Sequence, residues 1–237
     1  MMDPLRLSTT TNSRGSEELL RRLAQTTSGP YLRPFAPVAN WRKARVFIVG
    51  KNPATPLRDE FESFDAYWDA LTRNPLAFEA VYLSQRSGKP SKTTNRARRF
   101  EAPLRDIGVL RTNACALPSG SWSELSTAVR REQLELGRQI LGALVDICQP
   151  AAILAHGKEG VQAISALFST PLDPYVPLLH QATSASLAPG LAPVQLYAYP
   201  HLSGVGVNKG FAVSRMDAEL EALGRRLASR LSTAPSN

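Results

Sequence analysis

Little in this chain supplies metal or redox chemistry. Two cysteines, Cys115 and Cys148, stand among 237 residues, too few for a disulfide framework or a cysteine-ligated iron–sulfur cluster. Both sit in apolar stretches and read as buried free thiols, which suits a reducing, cytoplasmic compartment. The three histidines, His156, His180 and His201, form no HExxH pair and no Cys/His spacing, so neither metal nor cofactor is expected. No apolar run approaches the roughly 18 residues of a membrane span. The opening MMDPLRLSTTTNSRGS has no apolar h-region and reads as a disordered lead-in over 1–15. There is no internal repeat, and no GxxxxGK[ST] loop of a nucleotide triphosphatase.

What is present is a globular composition with an excess of positive charge. Hydrophobic residues make up 43% and charged residues 20%, enough to build a core in a chain of this length. The formal net charge of +8 suits a polyanionic partner, because each neutralised phosphate releases counterions. An Arg-rich proteome produces the same balance without any such partner, so charge alone decides nothing.

Four short apolar runs alternate with helical patterns. RVFIVG (45–50), VLRTNACAL (109–117), AAILAH (151–156) and VQLYAYP (194–200) are β-branched or aromatic and bounded by Gly or Pro. Helices are expected over 16–25 with Ser16 as N-cap, over 61–73, in the second half of 87–108, over 123–150, after Gly157, and over 211–231. The Pro-, Ser- and Ala-rich stretch 169–193 reads as loop, and 232–237 as a frayed tail. The pattern predicts one α/β domain over 16–231, with a four-stranded parallel sheet covered by helices on both faces. Ligands of such sheets bind beyond the carboxyl ends of the strands. That rule selects KNPAT, NACALPSG, HGK and HLSGVGVNKG, which offer Asn52, Asn113, His156 and His201. Amides and imidazoles without a carboxylate suit a planar, hydrogen-bonding ligand such as a nucleobase.

At these strand ends the chain resembles a known family. GKNPAT resembles the first motif of the uracil-DNA glycosylase superfamily, Gly-x-Asn-Pro-Gly in its mismatch-specific and single-strand-selective branches. TNACALPSG resembles the second-strand motif of the single-strand-selective branch, and HLSGVGVNKGF its last motif. AAILAHGKEGVQAI resembles the strand–Gly–helix segment between them. The four come in the family's order between residues 46 and 211. Two positions depart from it: Ala54 replaces a glycine, and Leu202 rather than a proline follows His201.

The resemblance implies a three-layer α/β/α, monomeric DNA-repair enzyme that flips a deaminated base, foremost uracil, out of DNA and hydrolyses its glycosidic bond. In a bacterium it would work at the nucleoid. Asn52 would orient the attacking water, and His201 would donate to the departing base. Gly50, Lys51 and Pro53 would line the pocket, and Asn113 would read the base edge. Phe64 would stack on the base, with Phe61, Tyr67 and Trp68 as further candidates. Ser203, Asn208 and Lys209 would hold DNA phosphates, helped by the Lys92, Arg96, Arg98, Arg99 cluster, and Leu202 or Val205 would wedge into the stack. Each residue also has a plainer reading: Asn52 and Asn113 as turn caps, His201 as a loop histidine, His156 as packing or rim. A non-catalytic nucleic-acid binder and an enzyme of free nucleosides or nucleotides stand as the competing functions.

Overall fold

The four apolar runs form parallel strands, as their composition predicts: β1 (Val46–Gly50), β2 (Val109–Asn113), β3 (Ala152–His156) and β5 (Val194–Tyr199). The computed structural model describes residues 13–85, 91–120, 122–174, 182–187, 191–204 and 213–233. A further strand, β4 (Thr183–Ala185), pairs antiparallel with β5 at one edge. The sheet therefore has five strands in the order β2-β1-β3-β5-β4, not four, and part of the expected 169–193 loop belongs to it. Thr-Ser-Ala carries no apolar alternation. Its strand exists because β5 offers it a free edge, a tertiary cause that local sequence does not encode.

Seven α-helices are described: α1 (Ser13–Ala24), α2 (Phe64–Thr72), α3 (Pro75–Ser84), α4 (Lys92–Glu101), α5 (Thr127–Cys148), α6 (Gly157–Leu167) and α7 (Met216–Ser232). The side chains of Ser63, Asn74, Ser91 and Ser126 accept from backbone N–H groups in the first turns of α2 to α5. Ser16 is not an N-cap. It lies inside α1, which starts at Ser13 within the expected lead-in, and its hydroxyl donates to Asp146 of α5 at 2.5 Å. At the other end α7 runs to Ser232, into the expected tail. The α3 helix forms where the pattern predicts no element: Leu76 and Leu83 are exposed while Phe78 is buried, so no apolar face marks it.

Alternation along the strands sorts side chains between two cores. Phe47, Val49, Leu110, Ile153 and Ala155 join α1, α2, α5 and α6 in an aromatic-rich core. Val46, Ile48, Leu154, Tyr197 and Tyr199 face Ala97 and Phe100 of α4 and the apolar stripe of α7. Each fully buried Leu or Phe contributes about 1.5–3 kcal/mol, so both layers hold the sheet. The chain leaves β1 for β2 on one side and returns to β3 on the other. That reversal opens a crevice at the carboxyl ends of β1 and β3.

Candidate functional site

The strand register brings the expected residues into one row. Gly50 pairs with Asn113, Val49 with Ala155, and His156 with Tyr199. Asn113, Gly50, His156 and Tyr199 thus share one face at the carboxyl ends of four adjacent strands. A methyl placed on Gly50 would lie 2.9 Å from Asn113 Oδ1 and 3.0 Å from His156 Nε2. The two side chains lean over the glycine from either side, and only the absence of a Cβ leaves that space open. Among the described residues the Asn113 carboxamide makes no hydrogen bond. That is unlike an amide that ends its strand by bonding its own loop.

His156 is the residue the sequence pattern undervalues. It is only 4% exposed, and its Nδ1 is buried without a hydrogen-bond partner. Burial first, and then the neighbouring His201, pushes its pKa from 6.5 down to about 3, so the ring is neutral at physiological pH. Register is the signal that finds it: counting by twos from Leu154 puts His156 beside Gly50.

His201 follows β5, and its ring stands 5.3 Å from that of His156 at an interplanar angle of 76°. The backbone N–H of Ser203 donates to His201 Nδ1 at 3.2 Å, and the Ser203 hydroxyl lies 2.7 Å from the same nitrogen. A nitrogen that accepts from an N–H carries no proton, so in the neutral ring the proton sits on Nε2. Burial, and then the ammonium of Lys51, lowers the His201 pKa against an opposing pull from Glu159. Gly157 permits the approach of this ring. Its φ of +72 is one that side chains avoid, and a Cβ there would lie 2.8 Å from His201 Cδ2.

Asn52 plays a bracing part. Its Nδ2 donates to Pro53 O at 2.9 Å and to Ser119 O at 3.0 Å, joining the loops after β1 and β2. Backbone bonds reinforce the junction: Ala114 to Gly50, Cys115 to Lys51 and Ser119 to Pro53. Two carbonyl acceptors fix which end of the amide is NH2. Its Oδ1 is then the end left to accept from a ligand or water.

Other expected site residues are not brought to this row. Phe64 lies in the aromatic-rich core on the opposite face, its ring against Tyr31 at 5.1 Å and under the Arg21 guanidinium at 5.8 Å. Tyr67 and Trp68 are buried with it, and Phe61 packs on the same core. Their aromatic surface is spent on packing, so Phe64 does not face the crevice where a base would stack. Leu202 is fully buried in the α4–α7 core, drawn there because an apolar side chain next to that core gains more inside than in water. It is no wedge in this conformation. Arg96 donates to Leu202 O at 2.6 Å and to Asp217 at 3.1 Å, so it ties α4 to α7 instead of facing DNA. Arg99 also lies 3.6 Å from Asp217, while Lys92 and Arg98 are exposed. Asn208, Lys209 and Val205 lie outside the described residues, and Ser203 is placed as the group that orients His201.

Both cysteines are buried, and burial pushes their thiols up to about 11 for Cys115 and about 12 for Cys148. Neither is a nucleophile at neutral pH. Among the described residues no cluster of His, Cys, Asp or Glu could hold a metal ion, and no helix is long and apolar enough to cross a membrane. Protein-family models give no match to this chain, and neither do curated proteins.

Proposed function

We propose that the chain is a DNA glycosylase of the uracil type, a hydrolase that excises a deaminated base and leaves an abasic site. The observation that carries this reading is the Ser203 N–H donated to His201 Nδ1: it leaves a neutral imidazole with an Nε2–H donor, in the same crevice as an unpartnered amide over a glycine floor. A flipped base offers that pocket a hydrogen-bonding edge for Asn113 and a carbonyl oxygen for His201. As the C1′–N1 bond breaks, its electron pair passes to the base, and the donor stabilises the charge on that oxygen. Water bonds to C1′ through its oxygen and gives up its proton to solvent. Asn52 Oδ1 holds that water by accepting one of its hydrogens; because the sugar is already cation-like, orienting the water matters more than deprotonating it. The excess of positive charge suits DNA as the partner.

The test is release of base from single- and double-stranded oligonucleotides bearing uracil, hypoxanthine or xanthine, with DNA affinity measured alongside. The parent protein should release base, and Asn52→Ala should lose most turnover while still binding DNA. Salt-sensitive binding with no release from any substrate removes the enzyme and leaves a binding protein. Turnover of free nucleosides without DNA would favour a nucleoside hydrolase instead.

A further inference from the structure

Resting on the glycosylase reading, we infer that His156 is a second donor to the departing base. His156 and His201 together form a two-imidazole hole for a single carbonyl oxygen. The geometry of His156 supplies the argument. Its Cε1–Nε2 edge faces the space over Gly50, with Cε1 3.2 Å and Nε2 3.0 Å from the position a Cβ would take. The other ring nitrogen, Nδ1, is sealed in protein without a partner. On the backbone, an orphaned buried N–H is rarer than an under-used acceptor, and leaving Nδ1 as an acceptor avoids stranding a donor there. The neutral ring therefore keeps its proton on Nε2 and directs the N–H into the pocket.

His201 carries its proton on the same atom, for the separate reason that Ser203 donates to its Nδ1. Two near-perpendicular rings 5.3 Å apart can place two N–H groups on one oxygen without their planes colliding. Two further features favour negative charge there. The first turn of α6 begins at Gly157, directly after His156, with no side-chain cap on its N–H groups. The Lys51 ammonium acts on His201. Both imidazoles being neutral, the base leaves as a hydrogen-bonded anion and takes no proton from the protein.

This arrangement selects a substrate class. When a glycosidic bond to a pyrimidine breaks, the electron pair from N1 spreads onto O2, the carbonyl beside it. The site therefore takes 2-oxopyrimidines whose far edge suits Asn113, the uracil class. Purines carry no oxygen next to the glycosidic nitrogen and gain nothing from the two donors.

Leaving-group dependence tests the role. In His156→Leu, excision of uracil should slow by roughly 10²–10³-fold, the range of one lost donor to a developing anion. Excision of 5-fluorouracil, a better leaving group, should slow much less, and His156→Gln should recover part of the loss. An equal loss on both bases, with no recovery in the glutamine variant, would make His156 structural and overturn the proposal. Nitrogen-15 NMR of the imidazoles in the parent protein reads the same question without turnover. His156 and His201 should both be Nε2–H tautomers, and both Nε2 signals should move when the 5-nitrouracil anion is added. A protein that excises nothing overturns the glycosylase reading, and the catalytic role with it. A His156 that is protonated on Nδ1, in a protein that does excise uracil, overturns the second donor alone.

Discussion

The two halves of the crevice are built in opposite ways. At the ends of β1 and β2 the loops are bound to each other by three backbone bonds and by the Asn52 amide, which donates across to Ser119 O and also to Pro53 O in its own loop. At the ends of β3 and β5 the polar groups are left unspent: His156 makes no hydrogen bond among the described residues, and His201 bonds only to its own turn through Ser203. One half is braced, with the Asn113 carboxamide left over, and the other leaves its imidazoles largely unspent. Burying unspent polar groups costs stability, and a fold tolerates that cost where a ligand completes the pairing. On the proposed reading, the braced half would hold one amide oxygen still to position a water, and the open half would offer N–H groups to a developing anion.

The sharpest way to break this contrast is to fill the space between the halves. Gly50→Ala places a methyl about 3 Å from both Asn113 Oδ1 and His156 Nε2, closer than such contacts allow. Because that methyl points into the crevice and not into a core, the fold should survive. Base excision should fall by at least 100-fold, since a displacement of even about 1 Å in a catalytic constellation has that effect. Excision kinetics beside a thermal melt check it. A variant that melts like the parent and excises at the parental rate would show that no base lies over Gly50.

Breaking the brace should have a smaller and different effect. Asn52→Ala deletes two hydrogen bonds and leaves the carbonyls of Pro53 and Ser119 without that partner. The expected cost is about 1–3 kcal/mol of folding stability, measured by urea denaturation. Asn52→Asp should be less stable still, because a carboxylate would face two carbonyl oxygens. If both variants unfold at the parental midpoint, the brace contributes nothing and the two halves are not distinct.

Much of this layout was legible in the sequence, for a definite reason. The central strands are buried on both faces, so their runs are apolar throughout, and the turn residues after them mark the strand ends where ligands bind. That rule picks out Asn52, Asn113 and His201, and the fold places them at those strand ends. What failed were inferences from residue type without register. Phe61, Phe64, Tyr67 and Trp68 look like a base-stacking set in one dimension, yet α2 turns Phe64, Tyr67 and Trp68 into the core on the far side of the sheet, and Phe61, just before the helix, packs on the same core. Leu202 looks like a loop tip but lies against α4 and α7. His156 looked like a rim residue because nothing local distinguishes a histidine beside a glycine from one beside a bulky side chain. Its pairing with the Gly50 row is a property of the sheet. The β4 edge and the Ser16–Asp146 bond depend in the same way on partners far off in the chain.

The smallest expected effect reads the burial of the open half through acid. In the unfolded chain the His156 ring takes up a proton near pH 6.5, whereas in the folded protein burial and His201 delay that uptake to about 3. Between those values the unfolded state binds more protons, so stability must fall as the pH falls, and above that window His156 contributes no slope. From pH 7 to pH 6 its share is about 0.7 kcal/mol, which follows from the ordinary histidine pKa alone so long as the folded value lies well below it. His201, also lowered, adds a loss of the same sign. Comparing the parent with His156→Leu by urea denaturation at the two pH values isolates the ring. The variant should lose less stability than the parent over that unit of pH. Equal losses would mean that His156 protonates as readily folded as unfolded. Water would then reach Nδ1, and the open half would be a hydrated cleft instead of a sealed row of donors.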